Sequence, residues 1–265
     1  MTDHNEELLY DVDRQVATIT INRPRVLNAF TIQTLRDITA LIERAGQDPA
    51  VRVIVLTGAG ERSFCAGGDV STENEALAED ETAFARVNKR LYEVYRECMK
   101  PIIARVNGYA IGGGNHLAYM ADFTIAADHA VFGQNGPRVG SPAEGWIVAH
   151  LRSVIGIKRA KEIWMLCRRY TAQQALEWGL VNAVVPLADL DAEVRRWCDD
   201  MIDLSPTVLK LVKRSFDDSL LPVRERLDSV SLLQEVNPEF ISSGEQAEGA
   251  NAFMEKRKPD FSSWG

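Results

Sequence analysis

Two short segments hold residue types that could do chemistry. They are Ser63-Phe64-Cys65-Ala66-Gly67-Gly68-Asp69 and Asn107-Gly108-Tyr109-Ala110-Ile111-Gly112-Gly113-Gly114-Asn115-His116. Each follows an expected strand by a few residues. Glycine lets a backbone turn tightly and lets a ligand approach the amide groups. A glycine run that opens a helix also leaves its first N–H groups without intrahelical partners, at the positive end of the helix dipole. Two such turns from neighbouring strands could aim two N–H groups at one carbonyl oxygen. That is an oxyanion hole, in which each donor is worth roughly 3–4 kcal/mol in a transition state. The same residues also read as two ordinary tight turns, and spacing alone leaves both readings open.

Other chemistries lose support. The run from Gly112 to Gly114 fails the dinucleotide spacing G-x-G-x-x-G at Leu117, and Gly58-Ala59-Gly60 fails it at Ser63. There is no Walker A, HExxH or GxSxG motif. The histidines His4, His116, His129 and His150 show no ligand spacing, so no metal is expected. Cys65, Cys98, Cys167 and Cys198 are widely spaced and read as buried or partly buried reduced thiols. A net charge of −8 argues against a nucleic-acid partner. Any anionic ligand must therefore be held by a local cluster. No segment approaches membrane-spanning length, and the acidic start MTDHNEELLYD has no apolar signal core. The expectation is a soluble cytoplasmic protein.

The elements that would position the glycines can be read from periodicity. Residues 16–22 alternate and are β-branched, as in a strand. From Thr31 to about Ala45, Ile32, Leu35, Ile38, Leu41 and Ile42 recur at helical spacing. Strands are expected over 51–57, 102–106, 123–127 and 130–132, and a helix over 82–99 that is stopped by Pro101. Residues 61–80 read as a loop, 108–114 as a glycine-rich turn, and 115–120 as the beginning of a helix. The last third is helical. A core of ample size is available, since 46% of the 265 residues are hydrophobic.

The two glycine segments, with Asn22-Arg23-Pro24, Asn28-Ala29-Phe30 and Gly179-Leu180-Val181-Asn182-Ala183-Val184-Val185-Pro186, closely resemble the crotonase (enoyl-CoA hydratase/isomerase) superfamily. The resemblance covers nearly the whole chain. Within the superfamily it looks most like the branch of dihydroxynaphthoyl-CoA synthase and 2-ketocyclohexanecarboxyl-CoA hydrolase, through residues 132–141, 161–164 and 252–261. The resemblance implies an α/β fold, a ββα spiral with a C-terminal helical trimerisation region. The spiral core, 1–187, would carry the CoA and acyl site. Residues 188–265 would serve oligomerisation and CoA contact, in homotrimers that usually pair into hexamers. Coenzyme A would enter as part of an acyl-CoA substrate, with no tightly bound cofactor. The matching oxyanion donors are the amides of Gly68 and Gly113. Ala66 would touch the adenine or pantetheine through its backbone, and Phe253 and Lys256 would reach a neighbouring subunit's CoA. Arg25 could reach a phosphate from its loop.

The acid or base is less plain. Family hydratases carry glutamates where this chain has His116 and Gly136, so simple two-glutamate hydration is not expected. In the synthase branch with glycine at the second position, a bicarbonate acts as base near the residues matching Gln134, Asn135 and Trp164. The resemblance thus implies a bicarbonate or other small anion here, with Asn135 in place of the usual threonine. Ala143 and Ile241 replace an aspartate and a tyrosine of the synthases, which argues against ring closure. Glu144 matches a catalytic aspartate of 4-chlorobenzoyl-CoA dehalogenase and dienoyl-CoA isomerase. Beside Pro142, Trp146 and Ile147, its carboxyl could have a raised pKa suited to acid/base work; it also reads as an exposed loop residue. His116 could accept a proton in its neutral form, or could simply be packed. Ser141 matches a residue that hydrogen-bonds a substrate carbonyl. Gly136 and Ala143 are expected to enlarge the pocket for a cyclic or bulky acyl group. The expected activity is hydration or hydrolytic ring opening of such an acyl-CoA. Synthase-like ring closure, a dienoyl-CoA-type double-bond shift and CoA binding without turnover are the alternatives.

Overall fold

The computed structural model describes residues 7–69, 83–141, 143, 145–219, 239 and 242–260. Strands β1 (Leu8–Asp13) and β2 (Val16–Ile21) form an antiparallel hairpin. Helix α1 (Ile32–Gln47) starts at Thr31, whose hydroxyl accepts from the Thr34 amide in a capping box. Its apolar stripe, Leu35, Ile38 and Ile42, is fully buried.

Three units of one design follow. Each sends a first strand into a large sheet, a second short strand into a small sheet, and then a helix. They are β3 (Val53–Gly58), β4 (Ser63–Cys65) and α2 (Ala83–Glu97); β5 (Ile102–Val106), β6 (Tyr109–Ile111) and α3 (Gly113–Met120); β7 (Phe123–Ala127), β8 (Val131–Gly133) and the short α4 (Gly136–Val139). After them come α5 (Trp146–Ile155), α6 (Ile157–Leu166), β9 (Arg169–Thr171), α7 (Ala172–Glu177), β10 (Ala183–Val185), α8 (Leu190–Ile202), α9 (Pro206–Ser219) and α10 (Glu245–Met254).

The large sheet has the order β1-β2-β3-β5-β7-β10 and is parallel from β2 onward. The small sheet has the order β4-β6-β8-β9, with only β9 antiparallel. This is the ββα spiral that the resemblance implies. A parallel sheet must be covered on both faces. One face of the large sheet packs Ile19, Ile54, Leu56 and Ala104 into the main core. The other carries Val53, Val55, Ile103 and Ile125 and is covered by Leu190, Val194, Cys198 and Met201 of α8. Helix α8 thus shares a core with the spiral, although it lies beyond residue 187. Helix α9 presents apolar side chains to solvent, with Val208, Leu211, Val212 and Phe216 exposed.

Strands β4 and β6 lie inside segments that periodicity reads as loop and glycine turn. Three residues are too few to show an alternation, so the short second strands of the first two units escape it, whereas β8 falls where a strand is expected over 130–132. All four cysteines are free and buried. Among the described residues no helix is long and apolar enough to cross a membrane.

Candidate active site

Strands β4 and β6 are parallel neighbours, so their C-terminal ends release the two glycine turns side by side. The turns then pack backbone against backbone. A Cβ on Gly114 would overlap the Cys65 carbonyl. Gly67 has φ +98°, and a Cβ there would lie 2.9 Å from the Ile111 oxygen and 3.3 Å from the Gly113 nitrogen. Any side chain at either position would force the turns apart, which is why both are glycine.

Gly68 is held in a parallel bridge opposite Phe30. The Phe30 amide donates to the Gly67 carbonyl at 2.9 Å, and the Asp69 amide donates to the Phe30 carbonyl at 2.8 Å. Both bonds of the bridge involve the neighbours of Gly68, which leaves its own N–H directed away from Phe30. Gly113 is the first residue of α3, where an amide has no intrahelical acceptor. Among the described residues neither the Gly68 nor the Gly113 N–H meets a backbone acceptor. Both glycines are half-buried. The arrangement can present two amide donors to one oxygen.

Behind the turns lies a cluster of polar aromatic groups. His116, in the first turn of α3, is buried. Its Nε2 lies 3.2 Å from Gln134 Oε1, and its Nδ1 lies 3.2 Å from the Tyr92 hydroxyl. One tautomer satisfies both contacts: Nε2–H donates to Gln134, and Nδ1 accepts from Tyr92. Burial pushes the imidazole pKa down to about 4, against a smaller opposing effect of the Gln134 bond. The ring is therefore neutral and engaged at both nitrogens. In that tautomer the Nδ1 lone pair, which a proton acceptor would use, faces the Tyr92 hydroxyl. Trp164 tilts against His116 with ring centroids 5.3 Å apart. Two buried donors of this cluster have no partner among the described residues, Gln134 Nε2 and Trp164 Nε1. Leaving such groups unmatched costs about 1–3 kcal/mol each.

The wall beside this cluster comes from α4 and α10. Asn135 precedes α4, and its Oδ1 accepts from Arg169 Nη2 at 3.3 Å, while Arg169 Nη1 donates to the Gln134 carbonyl at 3.0 Å. A Cβ on Gly136 would lie 2.8 Å from the Ser141 carbonyl oxygen. The space beside Gly136 is thus filled by the turn that ends at Ser141, which corrects the expectation that this glycine enlarges the pocket. Ser141 is half-buried and its amide donates to the Gly136 carbonyl. Gly140 and Gly249 bring α4 and α10 into backbone contact: a Cβ on Gly249 would lie 2.5 Å from the Val139 carbonyl carbon.

The remaining expected residues are spread more widely. Ala66 is half-buried, with its amide spent on the Leu27 carbonyl at 3.1 Å, so only its carbonyl is available to a ligand. Arg25 is exposed on the 3₁₀ turn Pro24–Val26. Phe253 and Lys256 are exposed at the end of α10. Ala143 is exposed, and Glu144 and Ile241 lie outside the described residues. A surface hollow lined by Arg62, Tyr109, His129 and Leu187 sits at the opposite, N-terminal ends of β4, β6 and β8, away from the glycine turns. Sequence reasoning assigned no role to Tyr92, Arg169 or Phe30. Their contacts join segments far apart in the chain, and no local spacing announces them.

A family model described as enoyl-CoA hydratase/isomerase matches residues 11–264. Among solved structures, an enoyl-CoA hydratase from Mycobacterium avium subsp. paratuberculosis K-10 is 28% identical, with 96% of this chain and 98% of that chain covered and a TM-score of 0.81. An enoyl-CoA hydratase/isomerase from Xanthobacter autotrophicus Py2 is 29% identical, covering 96% and 99%, with a TM-score of 0.79. A monofunctional enoyl-CoA isomerase from M. smegmatis is 32% identical, covering 81% and 93%, with a TM-score of 0.70. Two adjoining glycine turns on a ββα spiral and a family match across almost the whole length lead to one conclusion: the chain belongs to the enoyl-CoA hydratase/isomerase family of the crotonase superfamily.

Proposed function

We propose that the protein hydrates, or opens by hydrolysis, a cyclic or bulky acyl-CoA. The Gly68 and Gly113 amides hold the thioester oxygen and stabilise the enolate that forms when water adds to the β-carbon of an enoyl thioester, or when the C–C bond of a hydrated β-ketone breaks toward the α-carbon; protonation of the α-carbon then consumes it. The observation that carries the reading is the pair of buried, unpartnered donors, Gln134 Nε2 and Trp164 Nε1, beside a neutral His116. An attacking water, a bicarbonate or other small anion, or an acyl carbonyl would satisfy them. In this reading His116 orients Gln134, Asn135 and Gly136 shape the turn, and Ser141 binds an acyl oxygen. Glu144 supplies the carboxyl for proton transfer. Ala66 meets the CoA backbone-first, and Arg25, Phe253 and Lys256 contact its nucleotide end, the last two from a neighbouring subunit. The exposed apolar side chains of α9 support a homo-oligomer, a trimer or a pair of trimers. The paired donors also favour the synthase/hydrolase branch over a plain enoyl-CoA hydratase.

Mass spectrometry of a CoA-thioester panel tests this. The panel holds short enoyl, cyclic enoyl and cyclic β-keto acyl groups. Gain of one water by the cyclic β-keto thioester identifies ring-opening hydrolysis, and gain by an enoyl thioester identifies hydration. No gain by any member sinks the proposal and leaves isomerisation, ring closure or binding alone.

A further inference from the structure

The two candidate amide donors belong to different turns, and one side chain spans them. The Phe30 main chain is bonded on both sides of Gly68, to the Gly67 carbonyl and the Asp69 amide. Its ring reaches the other donor. A Cβ on Gly113 would lie 2.7 Å from Phe30 Cε1 and would overlap Cζ. Phe30 is only 3% exposed, so the ring has no room to retreat.

Arg23 locks this spacer from outside. Its guanidinium uses all three nitrogens: Nε pairs with Glu7 at 3.0 Å, Nη1 donates to the Ala29 carbonyl, and Nη2 pairs with Asp69 at 3.1 Å. Ala29 immediately precedes Phe30, and Asp69 immediately follows Gly68. The clamp therefore ties together the two chain segments that flank the bridge. It is largely sheltered, with 15% of the side chain exposed for both Arg23 and Asp69. A lysine's three donors radiate from a single nitrogen, so they cannot span three separated acceptors as the planar guanidinium fork does.

We infer that Phe30 is the positioning residue that sets the separation of the Gly68 and Gly113 amides, and that Arg23 holds it in place. This rests on the reading of those amides as thioester-carbonyl donors. Hydrogen-bond donors of this kind act only when they meet the developing oxyanion at about 2.7–3.1 Å. A misplacement of about 1 Å can cost roughly a hundredfold in rate.

The test is difference infrared spectroscopy on the cyclic enoyl and cyclic β-keto CoA thioesters of the panel, carrying ¹³C at the thioester carbonyl, bound to wild type, Phe30→Leu and Arg23→Lys, with kcat and KM measured in parallel. The expected result is a red-shifted carbonyl in wild type that relaxes in both variants. With it, kcat should fall about tenfold or more, while KM changes little. Circular dichroism checks the fold, and Arg23→Lys carries the comparison if Phe30→Leu does not fold. If wild type binds no thioester of the panel, or binds one without a shift, the donor reading fails and the inference with it. If wild type shows the shift and folded variants keep it, the donors stand and Phe30 does not set them, whatever happens to kcat.

Discussion

The glycine turns and the His116–Gln134–Trp164 cluster sit together but are built from opposite materials. The first is backbone. Gly67, Gly113 and Gly114 are pressed against the Ile111 carbonyl, the Phe30 ring and the Cys65 carbonyl, so a single added methyl collides. The second is side chain, with rings and amides that leave two donors unmatched. A backbone site is precise and intolerant, and its geometry and its stability stand or fall together. A side-chain site with unmatched donors gives up stability, so, on the proposed reading that a ligand meets those donors, function and stability should part company there.

The largest expected effect lies in the first region. Gly113→Ala drives a methyl into the buried Phe30 ring and displaces an amide donor. It should lower kcat by about a hundredfold or more and also lower the unfolding midpoint, as turnover assays and thermal melts would show. Normal stability with lost activity would mean that the turn yields easily and is not the rigid element described. The next largest effect lies in the cluster. Trp164→Phe keeps a ring against His116 and removes one unmatched N–H. Activity should fall about tenfold, the scale of one lost hydrogen bond of about 1.4 kcal/mol, while the melting temperature holds or rises. A joint fall in both would show that Trp164 serves packing alone.

The pH dependence of stability probes the cluster through His116. His116 has its pKa pushed down to about 4 by burial, below the ordinary 6.5. The unfolded chain binds the proton first, so this contribution is whole above pH 6.5 and shrinks as pH falls from 6.5 toward 4. Its full size is about 3 kcal/mol, at about 1.4 kcal/mol per pH unit. His150, also pushed down to about 4 by burial, adds a slope of the same sign. Urea unfolding at pH 7, 6 and 5 should show this decline, shallower in His116→Gln. An equal slope in that variant would mean that His116 is not held neutral.

The contrast also explains what could be read without a structure. Strands such as Ile102–Val106 and Phe123–Ala127 were legible because burial on both faces demands an apolar run. The glycine turns were legible because close backbone approach admits only glycine, and that requirement is written in the residue itself. The partners of those turns were not. Arg23 and Asp69 are separated by 46 positions, and His116 and Gln134 by 18. Gln134 and Trp164 came from resemblance, with no pattern in their own spacing. Helix α10 lies against α4 through Gly249 and Val139, a contact that no helical periodicity encodes.

The smallest effect is expected one step behind the cluster. The Tyr92 hydroxyl lies 3.2 Å from His116 Nδ1 and 3.4 Å from Asn88 Oδ1, too long for a strong bond at the second. If the hydroxyl donates to Nδ1, it fixes the proton on Nε2 and so turns the Gln134 carbonyl oxygen toward His116 and its amide nitrogen toward the ligand. Tyr92→Phe removes that instruction and leaves the ring in its edge-on place, 6.4 Å from the imidazole. A neutral hydrogen bond contributes about 1 kcal/mol net, so activity should drop only about fivefold. The sharper readout is ¹⁵N NMR of the His116 imidazole: one tautomer in wild type, a mixture in Tyr92→Phe. Equal tautomer populations in the two proteins would show that Gln134 alone orients the ring, and the cluster would then end at His116.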